Sequence, residues 1–219
     1  MSRGDMAYRI VGISGSPVKD GNVETFLHEM LDNVSGHDVH AEIVNLSRLR
    51  IEDCIHCNFC LSGQKPGKYC SLKDDAQEIF EKVEAADIII LASPVYFMRT
   101  SARLAAFIDR LRVFIFGNVA GGRLRNKVGV SAAVGWLRHG GLETTHLSHL
   151  LAFLTLEMIP VSVHSGVSPL GASALASAYV PGESAQAERP GICRDDAGLA
   201  SARAVMERAL ELARLLKRE

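Results

Sequence analysis

The sequence has no surplus of charge in either direction: 24 Lys and Arg stand against 25 Asp and Glu in 219 residues. The basic footprint of a nucleic-acid binder is therefore missing, and there is no acidic tail. No run approaches the roughly 18 apolar residues that a membrane span needs. The opening residues, MSRGDMAYR, lack the apolar core of a signal peptide. The chain is expected to be cytoplasmic, with no membrane and no nucleic acid among its partners. Cysteines are few, five in all. In a reducing compartment they read as thiols, metal ligands or redox groups rather than disulfides. There is no internal repeat. No Ser–His–Asp order and no paired-carboxylate pattern asks for a catalytic acid, base or nucleophile.

Two phosphate-binding fingerprints are also missing. Where a dinucleotide site would read G-x-G-x-x-G, the chain reads Gly12-Ile-Ser-Gly15-Ser-Pro. Where a nucleoside-triphosphate loop would end in Gly-Lys-Ser/Thr, it reads Asp20-Gly21-Asn22.

What is present is strand alternating with helix. Hydrophobic residues make up 47% and mean hydropathy is +0.12, so either the core is large or some surface is buried against another copy. Ile10, Val11 and Ile13 form a short apolar run suited to a doubly buried parallel strand. Residues 25–34 continue as the first helix, and 39–46 alternate as an outer strand. Residues 74–86 read as a helix with acidic residues in its first turn. The run 87–92, DIIILA, is the clearest central strand. A long helix is expected over 101–116, a strand over 127–134, a helix over 143–157 and a last strand over 159–164. Residues 197–217 close the chain as an amphipathic helix. The whole, 1–219, is expected to be a single α/β domain with a parallel sheet and helices on both faces. It carries a cysteine-rich insertion at 50–72 and a long loop at 165–196. A loop of that length favours a functional or interfacial role, covering a ligand or reaching a neighbouring subunit.

In such sheets ligands bind beyond the carboxyl ends of the strands, and three post-strand loops are unusual. The first carries Ser14, Gly15, Ser16 and Pro17, with Asn22, Val23 and Thr25 where the helix opens. Asn22 is the candidate N-cap. Hydroxyls and amides at the positive end of a helix dipole suit a phosphate. A loop relying on such donors rather than on a committed cation suits a terminal monophosphate, as in flavin mononucleotide (FMN). The competing reading is a Ser- and Gly-rich turn chosen for steric reasons alone. The second loop, residues 93–100, sets Pro94 at the strand exit. Tyr96 and Phe97 either lie along a planar ring, with free backbone amides at its polar edge, or simply pack. The third, Gly135-Trp136-Leu137-Arg138-His139-Gly140-Gly141, suits close approach of backbone to a flat ligand. It reads equally as a flexible strand-to-helix connection.

Taken together, GISGSP…GN, then SPVYF with AFIDRL downstream, then GGLETT resemble the NAD(P)H-dependent FMN reductase and iron–sulfur flavoprotein group of the flavodoxin-like fold. The resemblance covers about residues 8–164. It implies a flavodoxin-like three-layer sandwich whose five-stranded parallel sheet runs 2-1-3-4-5, with bound FMN. It places the FMN phosphate on Ser14, Ser16, Asn22, Val23 and Thr25, with Pro17 in the same loop. It places Pro94, Val95, Tyr96 and Phe97 around the ribityl chain and the ring. It assigns Val134, Gly135, Trp136, His139, Gly140 and Gly141 to the far side of the ring. Homodimers, and sometimes homotetramers, are the family's usual state.

Four cysteines fall together as Cys54-x2-Cys57-x2-Cys60, with Cys70 after a loop. Three converging thiolates and a fourth can close around a [4Fe–4S] cube. Zinc sites more often show two separated C-x2-C pairs, and thiols holding no metal are the third reading. The iron–sulfur flavoproteins carry a compact cluster motif in this place, although their last cysteine usually follows sooner. His56 reads as a packed or solvated side chain and Cys193 as a plain thiol. His139 in the third loop, with His146 and His149 three apart on a helix, is not read as a metal site: helix-surface histidines are common, and the run LSHLLAFLTLE reads first as a packing face.

With a cluster, the expected task is electron transfer between a reduced donor, NAD(P)H or ferredoxin, and an acceptor, with a redox protein as natural partner. Without one, it is NAD(P)H-dependent reduction of free flavin, a quinone or another small-molecule acceptor. A flavin-binding protein without turnover is a third possibility.

Overall fold

The strand β3, Ile88–Pro94, is buried at every position and forms the axis of the molecule. Its neighbours are β1, Tyr8–Ser14, on one side and β4, Val128–Gly135, on the other, both parallel to it. The strand β2, Val39–Asn45, pairs with β1 in register from Tyr8 with Val39 to Ser14 with Asn45. A fifth strand, β5, Ile159–Pro160, pairs with the start of β4, so the sheet runs 2-1-3-4-5 as expected. The computed structural model describes residues 7–34, 38–164, 168–177 and 191–217. Of the long segment 165–196, residues 165–167 and 178–190 lie outside the described residues.

Helices cover both faces. On one face, α1, Asn22–Asp32, and α6, Asp196–Leu216, bury Phe26, Leu27, Met30, Val205, Met206 and Leu210 against Ile88, Ile90, Val128 and Val130. On the other, α3, Ala76–Ala85, and α4, Ala102–Arg110, bury Ile79, Phe80, Leu104 and Phe107 against Val11, Ile13, Ile89 and Leu91. The helix α5, Leu142–Thr155, adds Phe153 to this second core. The alternation of inward residues along β1 and β3 follows from the pleat, since successive side chains leave opposite faces of a sheet.

Three expectations are corrected. The last strand is two residues long rather than 159–164: Pro160 has no N–H to donate, and the edge position beside β4 is shared. A sixth strand, β6, Ala172–Leu175, lies inside the segment read as loop and pairs with β4 from Ala132 to Gly135. It takes up the carboxyl half of β4, which β5 leaves without a partner. The expected helix 101–116 ends as α4 at Arg110 and tightens into a 3-10 turn, Leu111–Phe114. The cysteine-rich insertion is otherwise irregular around one turn of helix, α2, Phe59–Ser62, and overturns no expectation.

Candidate functional site

The loop after β1 is held by short polar bonds. Ser14 is fully buried, and its Oγ accepts from the Ser16 amide at 3.4 Å. Ser16 Oγ accepts from the Val18 amide at 3.1 Å. Gly15 is required here: a Cβ would stand 2.5 Å from Leu104 Cβ on α4. Ser101, the N-cap of α4, closes the contact, its Oγ donating to the Gly15 carbonyl at 2.7 Å. The loop is thus clamped to the helix that follows β3.

Asn22 is not the N-cap of α1. Gly21 occupies that position, and no side chain caps the helix. Asn22 Oδ1 instead accepts from the Ile192 amide at 3.2 Å, tying α1 to the late segment. The first-turn amides are therefore left for a ligand, at the positive end of the helix dipole. The one buried acid nearby, Glu24, is neutralised from the side, accepting from Asn45 Nδ2 at 2.6 Å and Arg48 Nη2 at 3.1 Å.

A groove of about 380 Å³ opens beside this helix end. Of the expected residues it brings together Ser16, Asn22, Val23, Pro94, Val95, Tyr96, Val134 and Trp136. It adds Val18, Gly21 and Ala176, which sequence reasoning missed. Val18 and Gly21 stand in the same loop and were within reach of that reading. Ala176 follows β6, and nothing in the sequence marked it. The size is within the range of small-molecule sites, and the lining mixes apolar walls with a polar, uncapped helix end. That donor set fits a flat ring carrying a terminal phosphate.

Several expected residues are elsewhere. Ser14 lies beneath the loop, Pro17 is exposed, and Thr25 Oγ1 donates to the Gly21 carbonyl at 3.2 Å. The amides of Val95 and Tyr96 are not free: they donate to the carbonyls of Val134 and Arg99 at 2.9 and 3.1 Å. Phe97 is 98% exposed, and Phe97 and Met98 both adopt positive φ, 49° and 58°. Consecutive left-handed non-glycine residues are uncommon and cluster at ligand-binding loops. Gly141 begins α5 at φ 105°, where a Cβ would stand 2.3 Å from Met98 Cα, so the second and third loops interlock. Gly135 ends β4, and Gly140 follows it in the same loop, with its amide on the Leu137 carbonyl at 3.1 Å. His139 lines a different cavity of about 310 Å³, with Arg138, His146, Ser168 and Ser173.

His146 and His149 are not surface residues. Both are buried beneath α5 in a closed polar chain. Ser131 Oγ on β4 lies 2.7 Å from His146 Nδ1 and 2.8 Å from His149 Nδ1. Beyond them, His146 Nε2 meets Ser173 Oγ at 2.7 Å and His149 Nε2 meets Thr100 Oγ1 at 3.0 Å. One hydroxyl proton cannot serve two acceptors, so with both rings neutral at least one of them carries its proton on Nδ1 and donates it to Ser131 Oγ. Burial lowers the pKa of His146 to about 4 and that of His149 to about 3. The run LSHLLAFLTLE is a packing face in part: Phe153 and Leu156 are buried and Leu150 packs against them, but His149 faces inward too, while Leu147, Leu151 and Leu154 are exposed.

The cysteines form a second centre. Cys54, Cys57, Cys60 and Cys70 all line one small hollow, together with Arg110 and Arg112. His56 and Asn58, on either side of Cys57, both take positive φ, 51° and 61°, so the motif curls tightly. The Cys57 thiol is lowered in pKa by its hydrogen bond with Ser71 Oγ, at 3.0 Å, and by a backbone bond from Phe59. Burial raises that of Cys60. Among the described residues no group of three or more His, Cys, Asp or Glu side chains is drawn together closely enough to hold a metal ion. The donor chemistry nevertheless fits a thiolate-ligated cluster: four soft ligands at one hollow, with two cations to offset their charge.

A model of the family described as NADPH-dependent FMN reductase matches residues 8–169. The chain is 36% identical over 211 residues to an iron–sulfur flavoprotein of Methanocaldococcus jannaschii, covering 96% of this chain and 100% of that one. Among solved structures it superposes on RosB, bound to 8-demethyl-8-formylriboflavin-5'-phosphate, with a TM-score of 0.75 at 16% identity, over 97% of this chain and 81% of that one. A flavodoxin, WrbA-like protein from Agrobacterium tumefaciens gives 0.58 at 14% identity, over 97% and 98%. The fold is accordingly flavodoxin-like. Among the described residues no helix is long and apolar enough to cross a membrane.

Proposed function

We propose, because the chain belongs to the NADPH-dependent FMN reductase family, that this flavin-dependent oxidoreductase is an iron–sulfur flavoprotein. It holds FMN in the groove beyond β1, β3 and β4 and a [4Fe–4S] cluster on Cys54, Cys57, Cys60 and Cys70. It passes electrons between a reduced donor, NAD(P)H or a ferredoxin, and an acceptor. The observation that carries this reading is that all four cysteines, sixteen positions apart at the extremes, line the same hollow. When bound, FMN exchanges hydride or single electrons and the cluster exchanges single electrons. The chain's own part is to bind and orient. Ser16, Asn22, Val23 and the uncapped amides of α1 take the phosphate; Pro94, Val95 and Tyr96 line one side of the ring, and Val134 and Trp136 the other. Ala176 and the Ile192–Asn22 bond bring the late segment to the edge of the groove, and we assign that segment a covering role. The exposed leucines of α5 and the loop tip Phe97–Met98 suit burial against a second copy, which makes a homo-oligomer the working state.

The test is an anaerobic absorbance spectrum with iron and acid-labile sulfide counted on the same sample. About four of each per chain, with a broad brown absorbance bleached by dithionite, is the expected result. Yellow protein with neither element, oxidising NAD(P)H rapidly, supports the second reading, a cluster-free FMN or quinone reductase. The absence of a tightly drawn ligand group among the described residues favours that alternative. Colourless protein that takes up no FMN refutes both.

A further inference from the structure

We propose, resting on the iron–sulfur reading above, that Arg110 is a positioning residue of the cysteine site. Its Nε–H donates a hydrogen bond to the Cys70 sulfur when that sulfur is a cluster-bound thiolate, and this raises the cluster's reduction potential.

A guanidinium carries five N–H hydrogens and can be left charged only if they are used. The Arg110 side chain is 1% exposed, as is that of Asp74, its partner. Nη1 donates to Asp74 Oδ2 at 2.8 Å and to the Glu52 carbonyl at 2.7 Å. Nη2 donates to Asp74 Oδ1 at 3.1 Å. The bidentate pair fixes the plane of the group, with the Phe80 ring 5.9 Å away. Nε is different: it is buried and has no partner. A buried charged donor left unpaired costs more than an ordinary hydrogen bond contributes, so such atoms mark an unfilled role.

The role is indicated by where the residue stands. Arg110 lines the hollow with all four cysteines. Cys70, like Asp74, favours the charged form of the guanidinium. A thiol sulfur is a poor acceptor, whereas a thiolate is a charged one. The donor is therefore built for the deprotonated, metal-bound form of Cys70. Asp74 sits on the Nη side, so the pair presents its positive part toward the sulfur. Hydrogen bonds to cluster sulfurs favour the reduced, more negative state. The same contact explains how a fourth cysteine ten residues after Cys60 reaches the hollow reproducibly: Arg110 fixes the place it must occupy.

Two variants of the FMN-loaded holoprotein test this. Arg110→Lys keeps a cation for Asp74 and removes the Nε donor. Arg110→Gln with Asp74→Asn removes both charges together and leaves no buried ion unpaired. Iron and sulfide are counted first, then the cluster's midpoint is measured by an EPR-monitored redox titration. The expected result is full iron content with a midpoint shifted to lower potential in both variants. Full iron content with an unmoved midpoint in both overturns the role of Arg110 and leaves the iron–sulfur reading intact. Wild-type protein without iron or sulfide removes that reading and this one with it. Should both variants shed iron, pulsed EPR on reduced Arg112→Lys protein labelled with [15N]arginine decides. There Arg110 is the arginine remaining at the hollow. Coupling of its nitrogen to the cluster spin supports the contact, and its absence overturns it.

Discussion

Lowering the pH from 7 to 5 is expected to cost this protein about 4 kcal/mol of stability through His146 and His149 alone. The two rings are held neutral by burial, with pKa values of about 4 and about 3. Unfolding returns both to the ordinary value of about 6.5. The folded values are depressed, so the unfolded chain binds more protons between the two, and stability falls as pH falls through that window. Above about pH 6.5 the contribution is fully present. At pH 6 each ring costs roughly 1 kcal/mol and at pH 5 roughly 2 kcal/mol. Loss continues until the pH reaches the folded values. The electrostatic neighbours do not cancel this: Glu143 favours protonation of His146 only weakly against desolvation, and His146 opposes that of His149. Most carboxylates titrate below this window, so the slope between pH 6.5 and 5 belongs to the histidines. Urea unfolding followed by far-UV circular dichroism at half-unit pH steps measures it, with an unchanged slope against denaturant as control. A total of about 4 kcal/mol is a large share of the roughly 5–15 kcal/mol of a typical domain. Equal stability at pH 7 and pH 5 would refute the reasoning. So would a histidine NMR spectrum showing either ring protonated in the folded state at pH 5.5.

Three further outcomes are expected. Gly15→Ala drives a Cβ to 2.5 Å from Leu104 Cβ and 2.9 Å from Ser101 Oγ, and should cost about 1–3 kcal/mol, read as a lower thermal midpoint; an unchanged midpoint would show that the loop is not clamped to α4. Trp136→Ala should weaken FMN binding roughly tenfold, the effect of losing about 1.4 kcal/mol of ring contact, measured by flavin fluorescence quenching; equal affinity would place the ring elsewhere. Cys57→Ser should remove most of the iron while leaving bound FMN at wild-type stoichiometry, and full iron content would take Cys57 out of the ligand set.

The parts of the molecule that were legible in sequence are those whose signal is local. The buried strands announce themselves because a strand covered on both faces is a continuous apolar run, as in Ile88–Pro94, buried at every position. The loop after β1 stands out by exclusion, since it follows such a strand and matches neither common fingerprint. What was not legible depends on partners far away in the chain. β6 is Ala-Ser-Ala-Leu, without a β-branched residue, and becomes a strand because the edge of β4 opposite β3 is left open along its carboxyl half. Asn22 looked like a cap, but its side chain is engaged by Ile192, 170 positions later. The histidines of α5 are the clearest case. Hydropathy puts histidine outside, and here both histidines are inside while Leu147, Leu151 and Leu154 are exposed. The cause is Ser131, buried in the middle of β4 and in need of partners, with Thr100 and Ser173 closing the chain at either end. No window of sequence contains that requirement.

The same long-range logic joins the two centres. α4 begins at the loop after β1, where Ser101 Oγ donates to the Gly15 carbonyl at 2.7 Å, and ends at the cysteine hollow, which Arg110 lines with Cys54, Cys57, Cys60 and Cys70. Nine steps of about 1.5 Å set those ends roughly 14 Å apart along the axis. The helix is rigid for reasons visible at both ends. Ser101 caps it, accepting from the Leu104 amide at 3.2 Å, while the Arg110–Asp74 pair anchors its last turn. Leu104 and Phe107 bury its inner face. A single packed element thus fixes the loop after β1 and the wall of the cysteine hollow in one frame. Gly15→Ala bears on this directly. If α4 carries strain from one centre to the other, the variant should disturb the cluster's EPR line shape as well as FMN affinity, although residue 15 touches no cysteine. A change confined to flavin binding would mean that the two centres are held independently.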